Sequence, residues 1–243
     1  MNISTQQRKA PSIRACALVP AYNEQDRIGA TVAAIRSRPE IDYIVVVNDG
    51  SADATAERAA GADRVITQKN QGKGAALAAA YAAAPAETEI FLLLDADLGA
   101  SAAEASKLLV PLLRDEADMV IGLLPPDPEF AATGGSGGMG LVVRLANWGI
   151  GRATGRQFRQ PLSGQRAVRR AVLERLGGRF AEGYGVEVAL TIGALRAGFR
   201  IQEVETHFRH KVTASDAGGI RHRARQLTHV GITLAQALRT KGV

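Results

Sequence analysis

The stretch Ile90-Phe91-Leu92-Leu93-Leu94-Asp95-Ala96-Asp97-Leu98 passes from five apolar residues directly into two aspartates. Such an apolar run is typical of a parallel strand that is covered on both faces. Ligands bind outside the carboxyl ends of strands in open parallel sheets, and residues two apart on an extended chain point to the same side. We therefore predict a buried strand that presents Asp95 and Asp97 to one divalent cation or one sugar diphosphate. The alternative is a pair of solvated acids at the start of a helix.

Short apolar segments alternate with helical patterns through the first half of the chain. Strands are predicted near residues 15–19, 43–47, 65–66 and 119–122, and the segments between them have the composition or the apolar spacing of helices. This alternation predicts an α/β fold with a doubly wound, mostly parallel sheet that is flanked by helices and connected by right-handed crossovers. A length of 243 residues fits one such domain with a C-terminal helical appendage.

Several local interpretations rest on single residues. Asn23 can cap the helix that follows the first strand, and Ser101 with Glu104 matches a capping box for the helix after Asp97. Trp148, the only tryptophan, is predicted to pack in the core. Cys16 is the only cysteine and lies in an apolar run, so it cannot form an internal disulfide and is predicted to pack as a small hydrophobic residue.

The composition is that of an ordinary soluble chain, with 46% hydrophobic and 22% charged residues. No apolar run approaches the roughly 20 residues that span a bilayer, and residues 1–14 lack the apolar middle of a secretion signal. Both observations predict a cytoplasmic protein. The net charge of +6 and the pI near 9.8 favour a partner that carries phosphates: a nucleic acid, an anionic membrane surface or a phosphorylated small molecule.

Basic residues concentrate at the C-terminus, where residues 207–243 contain seven Lys and Arg against one Asp. The apolar positions of residues 218–239 form a stripe beside Arg221, Arg225 and His229, which predicts a basic amphipathic helix. This helix either docks on the domain or lies peripherally on the inner face of a membrane. Nucleic acid is disfavoured as a partner, because only 5% of the residues are aromatic and no nucleic-acid module is recognisable.

Polar residues follow other predicted strands too. Asp49 follows the second strand and is either a ligand contact or the side chain of an Asx-turn. Lys73 lies between glycines at the start of an alanine-rich helix and is either a diphosphate contact or a solvated side chain. No Ser/His/Asp order, cysteine pair or His-x-x-x-His spacing is evident. Asp49, Lys73 and the two aspartates after residue 94 therefore fit a nucleoside diphosphate compound held through a divalent metal, which neutralises charge on a departing diphosphate.

Four motifs of the first half resemble, in the same order, the motifs of family-2 glycosyltransferases of the GT-A fold. They are Val19-Pro20-Ala21-Tyr22-Asn23-Glu24, Val47-Asn48-Asp49-Gly50-Ser51, Asn70-Gln71-Gly72-Lys73-Gly74 and Asp95-Ala96-Asp97. The resemblance implies transfer of a hexose from a UDP or GDP sugar. It implies that the donor is bordered by Pro20, Ala21, Tyr22, Asn23, Glu24, Asp49, Lys73, Asp95 and Ala96. It also implies that Asp97 is a catalytic residue of a DxD motif and a ligand of Mg²⁺ or Mn²⁺.

The second half resembles two narrower groups, the polyprenyl-phosphate sugar synthases and the glucosyl-3-phosphoglycerate synthases. The resemblance lies in Ser163-Gly164-Gln165-Arg166-Ala167, Gly183-Tyr184-Gly185-Val186-Glu187 and the region of His210. It implies that His210 is a further metal ligand, with His207 as a rival, and that Glu187 is a catalytic residue in contact with the transferred sugar. The acceptor site it implies contains Ser163, Gly164, Arg166 and Tyr184.

The acceptor is predicted to carry a phosphate, as phosphoglycerate and polyprenyl phosphate do. A phosphate is largely ionised at neutral pH and can attack unaided, whereas a sugar hydroxyl needs a general base. Arg166, Arg169 and Arg170 lie near the presumed acceptor segment. Two other classes stay open. A sugar-nucleotide pyrophosphorylase normally has a glycine-rich, Arg-containing loop at the place of residues 20–24, and a non-catalytic protein would bind a nucleotide or a nucleic acid without turnover.

The chain is accordingly divided into five predicted parts. They are a flexible leader at 1–13, a nucleotide-sugar-binding half at 14–123, a mobile loop at 124–140, an acceptor-binding half at 141–215 and the basic amphipathic helix at 216–243. The loop is rich in Pro and Gly and has no periodicity. The expected partners are the nucleotide-sugar donor and the acceptor, and a membrane surface and a second copy of the chain are further candidates.

Overall fold

The computed structural model describes residues 14–125, 138–181, 185–210, 228 and 230–237, with side chains from residue 140 in the second range. The strands of one sheet are β1 (Ala15–Ala21), β2 (Tyr43–Asn48), β3 (Arg64–Thr67), β4 (Ile90–Leu93), β5 (Met119–Leu123), β6 (Arg166–Arg169) and β7 (Ile201–Glu205). The helices are α1 (Ile28–Arg36), α2 (Thr55–Arg58), α3 (Lys73–Ala83), α4 (Ala105–Leu113), α5 (Gly138–Thr154), α6 (Arg170–Arg175) and α7 (Val186–Arg196). A 3-10 helix, Gly99–Glu104, leads into α4.

The strand order across the sheet is β3-β2-β1-β4-β6-β5-β7. Neighbouring strands are parallel except at β6, which runs antiparallel to β4 and β5. The predicted mostly parallel α/β sheet flanked by helices is therefore confirmed. Because β6 is reversed, its first residue, Arg166, pairs with Leu93 and Ile121 towards the carboxyl ends of β4 and β5.

The sheet is covered on both faces, which explains why its central strands are apolar throughout. Alternate residues of β1 enter two separate clusters: Cys16 packs with Leu77 of α3, and Ala17 packs with Ile28 of α1 and Leu108 of α4. Burial raises the pKa of the Cys16 thiol to about 12. The prediction that this cysteine packs as a small hydrophobic residue is confirmed.

The predicted cap at Asn23 is wrong. Helix α1 starts five residues later at Ile28 and has no side-chain cap. Asn23 instead adopts a left-handed conformation with φ of 54°, which asparagine tolerates better than most residues. Its Oδ1 accepts a hydrogen bond from the backbone N–H of Ala52 at 3.0 Å. The side chain therefore joins two turns rather than closing a helix.

The predicted capping box is also wrong, because the 3-10 helix precedes α4. Ser101 Oγ donates to the carbonyl of Leu98 at 2.7 Å. The Glu104 carboxylate accepts from Lys107 Nζ at 2.7 Å and from the backbone N–H of His207 at 2.8 Å. Glu104 therefore anchors the segment after β7 to the start of α4.

The prediction that Trp148 belongs to the core is wrong as well. Helix α5 buries Val142, Ala146 and Ile150 completely, whereas Trp148 is 58% exposed. The helix begins at Gly138, inside the predicted mobile loop at 124–140. The part of that loop between residues 126 and 137 lies outside the described residues.

The predicted C-terminal helix is described only at residues 228 and 230–237, which are helical. Val230 and Leu234 are buried there, and Leu234 packs against Gly149 of α5. These residues favour a docked helix. Within the described part of the chain, no helix is both long and apolar enough to cross a membrane. The leader at 1–13 lies outside the described residues.

Candidate active site

The carboxyl ends of β1, β2 and β4 lie at one edge of the sheet. The register pairs Leu18 with Leu93 and Ala21 with Asn48. The segments that follow these strands therefore start side by side, as the sequence predicts. We call this side of the sheet the carboxyl edge.

Three predicted residues meet at the carboxyl edge. One ligand atom from each of Asp95, Asp97 and His210 lies within 4.8 Å of the other two. Asp97 Oδ1 is 3.0 Å from His210 Nδ1. The rival side chain, His207, is 75% exposed, and its Nδ1 lies 3.3 Å from Glu104 Oε2. Of these two histidines, His210 is therefore the one that lies next to both aspartates, and two carboxylates with one imidazole can hold a divalent cation.

Lys73 joins this cluster from the first residue of α3. Its Nζ is 2.8 Å from Asp95 Oδ1 and 2.9 Å from Glu187 Oε1. Glu187 lies in the first turn of α7 and is only 4% exposed. The lysine thus connects the DxD motif of the first half with a predicted catalytic residue of the second half.

The electrostatic surroundings favour the charged forms of these groups. Burial alone would lower the pKa of Lys73, but the nearby carboxylates of Asp95 and Glu187 outweigh it and raise this pKa. Burial alone would raise the pKa of Asp95, but the charges of Lys73 and His210 and the hydrogen bonds from Lys73 and Gln165 lower it. Burial likewise opposes the imidazolium, yet the hydrogen bond with Asp97 and the charges of both aspartates raise the pKa of His210. A metal ion that used the His210 nitrogen would compete with a proton there.

Gln165 is a site residue that the sequence reasoning did not assign. Its side chain is fully buried. Its Oε1 accepts from the backbone N–H of Asp95 at 3.0 Å, and its Nε2 donates to Asp95 Oδ2 at 2.6 Å. The same Nε2 lies 3.3 Å from His210 Nε2. Gln165 therefore orients Asp95 and reaches His210, and its place in the quoted Ser163-Gly164-Gln165 motif is the signal that could have identified it.

Ser163 and Gly164, predicted to contact the acceptor, lie beside the cluster. Ser163 Oγ donates to the carbonyl of Gly122 at 2.6 Å, which fixes the loop on β5. A Cβ on Gly164 would lie 2.6 Å from Lys73 Nζ and 2.8 Å from Asp95 Oδ2. A side chain at position 164 would therefore displace the ammonium or the carboxylate of this ion pair. Tyr184, the fourth predicted acceptor residue, lies outside the described residues.

Arg166 does not fit its predicted role in the acceptor site. Its side chain is fully buried. The guanidinium donates to the carbonyls of Ser163 at 2.9 Å and Pro161 at 2.8 Å, and to Thr191 Oγ1 at 2.9 Å. These bonds hold the loop that carries Gln165. The Arg166 guanidinium is therefore not available to bind an acceptor.

Arg169 and Arg170 are also far from the predicted acceptor side. Arg169 pairs with Ile90, the first residue of β4, so it lies at the opposite end of the sheet. Arg170 donates to the carbonyls of Thr88 and Pro85, at 2.5 and 3.2 Å. Arg166 and Arg169 are the first and last residues of β6, so they lie at opposite ends of that strand. These arginines give no support to a phosphate-bearing acceptor.

Asp49 holds the loop that precedes α3 through hydrogen bonds. It is 4% exposed, and its carboxylate accepts from Gln68 Nε2 and from the backbone N–H groups of Gln71 and Gly72, at 2.7, 2.9 and 2.7 Å. The Asx-turn alternative is wrong for Asp49, since its bonds go to a different loop. Asn48 forms the Asx-turn instead, since its Oδ1 accepts a hydrogen bond from the backbone N–H of Ser51 at 3.1 Å. Asp49 thereby positions the loop before Lys73.

The turn after β1 contains the other predicted donor contacts. Pro20 and Ala21 end β1, and Tyr22 beyond them is 51% exposed. The backbone N–H of Asn23 donates to Ser51 Oγ at 2.9 Å, and that of Glu24 donates to Thr55 Oγ1 at 2.8 Å. The turn is thus fixed to the segment after β2 and stays open towards solvent at Tyr22.

Ala96 contributes its backbone rather than its side chain, which is buried in the core with 4% exposure. Thr31 Oγ1 donates to the Ala96 carbonyl at 2.7 Å and accepts from the N–H of Gly99 at 2.8 Å. Arg27 donates to the carbonyl of Asp97 at 3.0 Å. Thr31 and Arg27 thereby fix the DxD turn on α1, and the sequence reasoning missed both, because neither belongs to a recognisable motif.

The fold and this cluster define an α/β protein whose carboxyl edge can receive a diphosphate and a divalent cation. The model of glycosyl transferase family 2 matches residues 16–139, a little over half of the chain. The chain therefore belongs to glycosyl transferase family 2. This membership favours a transferase over a pyrophosphorylase or a non-catalytic binding protein.

Two curated relatives cover most of the chain. Glycosyltransferase AglJ of Haloferax volcanii is 32% identical over 83% of this chain and 65% of the relative, so the chain spans less than two thirds of that protein. Polyprenol monophosphomannose synthase of Mycolicibacterium smegmatis is 29% identical over 82% of this chain and 78% of the relative. Sequence similarity thus extends beyond the family match into the second half of the chain.

Solved structures of glucosyl-3-phosphoglycerate synthase from Mycobacterium tuberculosis have the same fold. The complex with phosphoglyceric acid matches with a TM-score of 0.77 and 26% identity, over 94% of this chain and 81% of that one. The complex with Mn²⁺, UDP-glucose and phosphoglyceric acid matches with a TM-score of 0.71 and 26% identity, over 91% and 80% of the two chains. The GT-A fold expected from the sequence motifs is therefore confirmed.

Proposed function

We propose that this chain is a metal-dependent glycosyltransferase that moves a sugar from a nucleotide-diphosphate sugar to a phosphate-bearing acceptor. The observation that carries the proposal is the cluster of Asp95, Asp97 and His210, whose ligand atoms lie within 4.8 Å of one another. Lys73 stands next to it, 2.8 Å from Asp95. A cation site and a lysine at the carboxyl edge together match the charge of a diphosphate.

Asp97 and His210 are the residues that we propose as ligands of Mg²⁺ or Mn²⁺, with Asp95 beside them. Carboxylate oxygens suit both ions. Structures of the synthase from M. tuberculosis with Mn²⁺ and UDP, and with Mg²⁺ and UDP, support this choice. When bound, such a cation neutralises charge on the departing diphosphate.

The remaining residues of the edge are proposed to bind and orient the donor. The turn from Pro20 to Glu24 would border the nucleotide, and Asp49 would act there through the loop it holds. Lys73 would contact the diphosphate, because its ammonium is fixed by Asp95 and Glu187 at 2.8 and 2.9 Å. UDP is favoured over GDP, since the structures of the M. tuberculosis synthase contain UDP or UDP-glucose.

Glu187 is proposed to contact the transferred sugar. Its carboxylate is almost fully buried and is held by Lys73 at 2.9 Å, so its orientation is fixed before the donor arrives. A fixed acceptor of hydrogen bonds loses little entropy when it meets a sugar hydroxyl. Lys73 and Glu187 would thus position the two halves of the donor, its diphosphate and its sugar.

The relatives support a phosphate-bearing acceptor, whereas Arg166, Arg169 and Arg170 do not. The M. tuberculosis synthase is bound to phosphoglyceric acid, and a second relative is named for a polyprenol monophosphate sugar. A phosphate oxygen is ionised at neutral pH and needs no general base. Ser163 and Gly164, at the carboxyl edge, are the described residues that we propose for this side of the site.

Transfer assays test the proposal. UDP and GDP sugars are incubated with Mn²⁺ or Mg²⁺ and with 3-phosphoglycerate, a polyprenyl phosphate or a neutral sugar. We expect transfer to a phosphate-bearing acceptor, loss of transfer with a chelator and recovery with added metal. Transfer only to the neutral sugar would contradict the acceptor class.

Thermal unfolding with nucleotide and metal separates donor binding from the choice of acceptor. A ligand at 100 times its Kd adds about 2.7 kcal/mol to the free energy of unfolding. We expect this stabilisation from UDP or GDP only when the metal is present. Equal stabilisation without metal, or none with either nucleotide, would refute the proposed donor site.

A further inference from the structure

Helix α5 (Gly138–Thr154) carries a face that the fold does not cover in the described part of the chain. Leu141 and Trp148 are 59% and 58% exposed, and Arg144 and Arg152 are exposed beside them. Positions 141, 148 and 152 fall on one stripe of an α-helix, and position 144 borders it. The opposite side of the helix is buried in the core through Val142, Ala146 and Ile150. We call the exposed set, Leu141, Arg144, Trp148 and Arg152, the α5 face.

We propose that the α5 face docks on the surface of an anionic lipid bilayer. Tryptophan and leucine enter the boundary between head groups and acyl chains, while arginines pair with lipid phosphates. Helix α5 contains no acidic residue, so nothing on it opposes an anionic surface. The net charge of +6 of the whole chain acts in the same direction. The α5 face shares no residue with the stretch 216–243, whose basic sequence predicted a membrane contact and whose Leu234 packs on Gly149 of α5.

A second copy of the chain fits this face less well. A two-fold contact through α5 would place Arg144 and Arg152 of one copy against the same patch of the other. The patch offers no carboxylate in return, and like charges opposed in an interface disfavour association. A lipid phosphate supplies the missing negative charge.

The segments that flank α5 meet at the carboxyl edge. The helix follows β5 and precedes β6 in the chain, and the end of β5 and the start of β6 both lie at the carboxyl edge, because β6 is antiparallel. The two attachments are tied together: Leu124 N donates to Gln160 Oε1 at 2.9 Å, and Gln160 Nε2 donates to the Leu124 carbonyl at 2.8 Å. Helix α5 itself runs towards the opposite end of the sheet, since Arg156, two residues after it, donates to the carbonyl of Ile201, the first residue of β7, at 3.4 Å. The inference concerns where the chain binds and does not depend on the proposed transfer reaction.

Trp148 is the only tryptophan, so its fluorescence reports on this face alone. The full chain is titrated with vesicles of pure phosphatidylcholine and with vesicles of equimolar phosphatidylcholine and phosphatidylglycerol. We expect the emission to move to shorter wavelength, and iodide quenching to fall, only with the anionic vesicles, and high salt to reverse both changes. No change at low salt would overturn the proposal. A blue-shifted, quencher-protected tryptophan without vesicles would also overturn it, by showing that the chain or a second copy already covers the face.

Matched variants distinguish this face from general positive charge. Arg144→Gln with Arg152→Gln should lower vesicle affinity by about 30-fold, since each basic residue near an anionic surface contributes about fivefold. The control is Arg58→Gln with Arg114→Gln, which removes the same charge at exposed positions of α2 and the end of α4. Its affinity should stay near that of the unmodified chain. Equal losses in both pairs would refute a specific role of α5.

Trp148→Ala should also reduce binding to anionic vesicles, as measured by co-sedimentation. Unchanged binding would refute insertion of the tryptophan.

Discussion

Charged side chains cluster at both ends of the sheet, but their balance differs. At the carboxyl edge, the carboxylates of Asp95, Asp97 and Glu187 surround Lys73 and His210. At the opposite end, the two acids Asp115 and Asp118 pair with the two arginines Arg169 and Arg200. The four side chains at the opposite end therefore balance one another, whereas the five at the carboxyl edge comprise three carboxylates and two basic groups.

The arginines of the opposite end also bind backbone groups. Arg200 donates to the carbonyl of Asp115 at 2.6 Å, and Arg169 donates to that of Leu112 at 2.5 Å. These bonds close the ends of α4 and β5, so the cluster joins elements of structure. Charge alone thus does not identify a site in this protein. An excess of one sign next to oriented ligand atoms does, because it leaves an attraction that a cation can satisfy.

The largest expected effect comes from Asp97→Asn, which removes that excess charge. Turnover with Mg²⁺ or Mn²⁺ should fall by at least about a hundredfold, since even partners of metal ligands contribute 10–100-fold. The fold should remain, because the side chain lies at the sheet edge and not in the core. Steady-state rates over a metal titration, with thermal unfolding in parallel, measure both quantities. A variant with the rate and metal dependence of the unmodified chain would remove Asp97 from the metal site.

A smaller effect is expected from Gln165→Leu, which keeps the bulk of the side chain but removes its hydrogen bonds to Asp95. Affinity for Mn²⁺ should fall by about 10–100-fold, as for other partners of metal ligands. Titration of Mn²⁺ monitored by electron paramagnetic resonance measures this without any turnover. Gln202→Leu is the matched control, because Gln202 is bonded to the carbonyl of Glu116 at the opposite end. If both variants bind Mn²⁺ equally well, Gln165 does not orient the site.

The smallest effect belongs to the opposite end, where Asp118→Asn should alter stability and leave turnover per folded molecule unchanged. Hydrogen bonds from Arg200, assisted by its charge and that of Arg169, lower the pKa of Asp118 although burial opposes them. The folded pKa is thus below the unfolded value of about 3.9, so the stabilisation is complete above that pH and is lost as pH falls through the folded pKa. We expect the variant to lose about 1–3 kcal/mol of unfolding free energy at neutral pH, as typical for a hydrogen bond to a charged group.

Denaturant unfolding at neutral pH and at about pH 3 checks this sign, because the reference carboxyl begins to protonate between them. The difference between Asp118→Asn and the unmodified chain should shrink in acid. If the difference in unfolding free energy stays constant between the two pH values, the Asp118 charge does not contribute to stability. A loss of turnover in folded Asp118→Asn would show that the two ends of the sheet are coupled.

The predictable parts of this structure are those specified by local pattern. Strands β1, β2, β4 and β5 are apolar runs, and an apolar run must be buried wherever it lies. Asp95 and Asp97 were predictable because a chemical motif directly follows such a strand. The antiparallel direction of β6 was not, since it depends on where the chain returns to the sheet and not on the sequence of the strand.

The errors concern residues whose roles depend on distant partners. Arg166 has the side chain of a phosphate ligand, yet its partners are carbonyls of a turn and a hydroxyl 25 residues away. Gln165 acts on a backbone group 70 residues away. Trp148 is predicted to lie in the core, but the phase of α5 turns it outwards. Sequence patterns do not report such contacts, because they are created only when the second half packs on the first.

The reversed strand β6 has a consequence for the order in which the protein folds. Strands β1 to β4 can pair as soon as the first half is made, but β6 inserts between β4 and β5. The contacts that complete the cluster span 70 residues at Gln165 and 113 at His210. Because loop closure delays such long-range pairing, the chain should acquire affinity for a divalent cation in its last folding step. Metal binding would then report the completion of folding, and it would stabilise only molecules in which the second half has packed on the first.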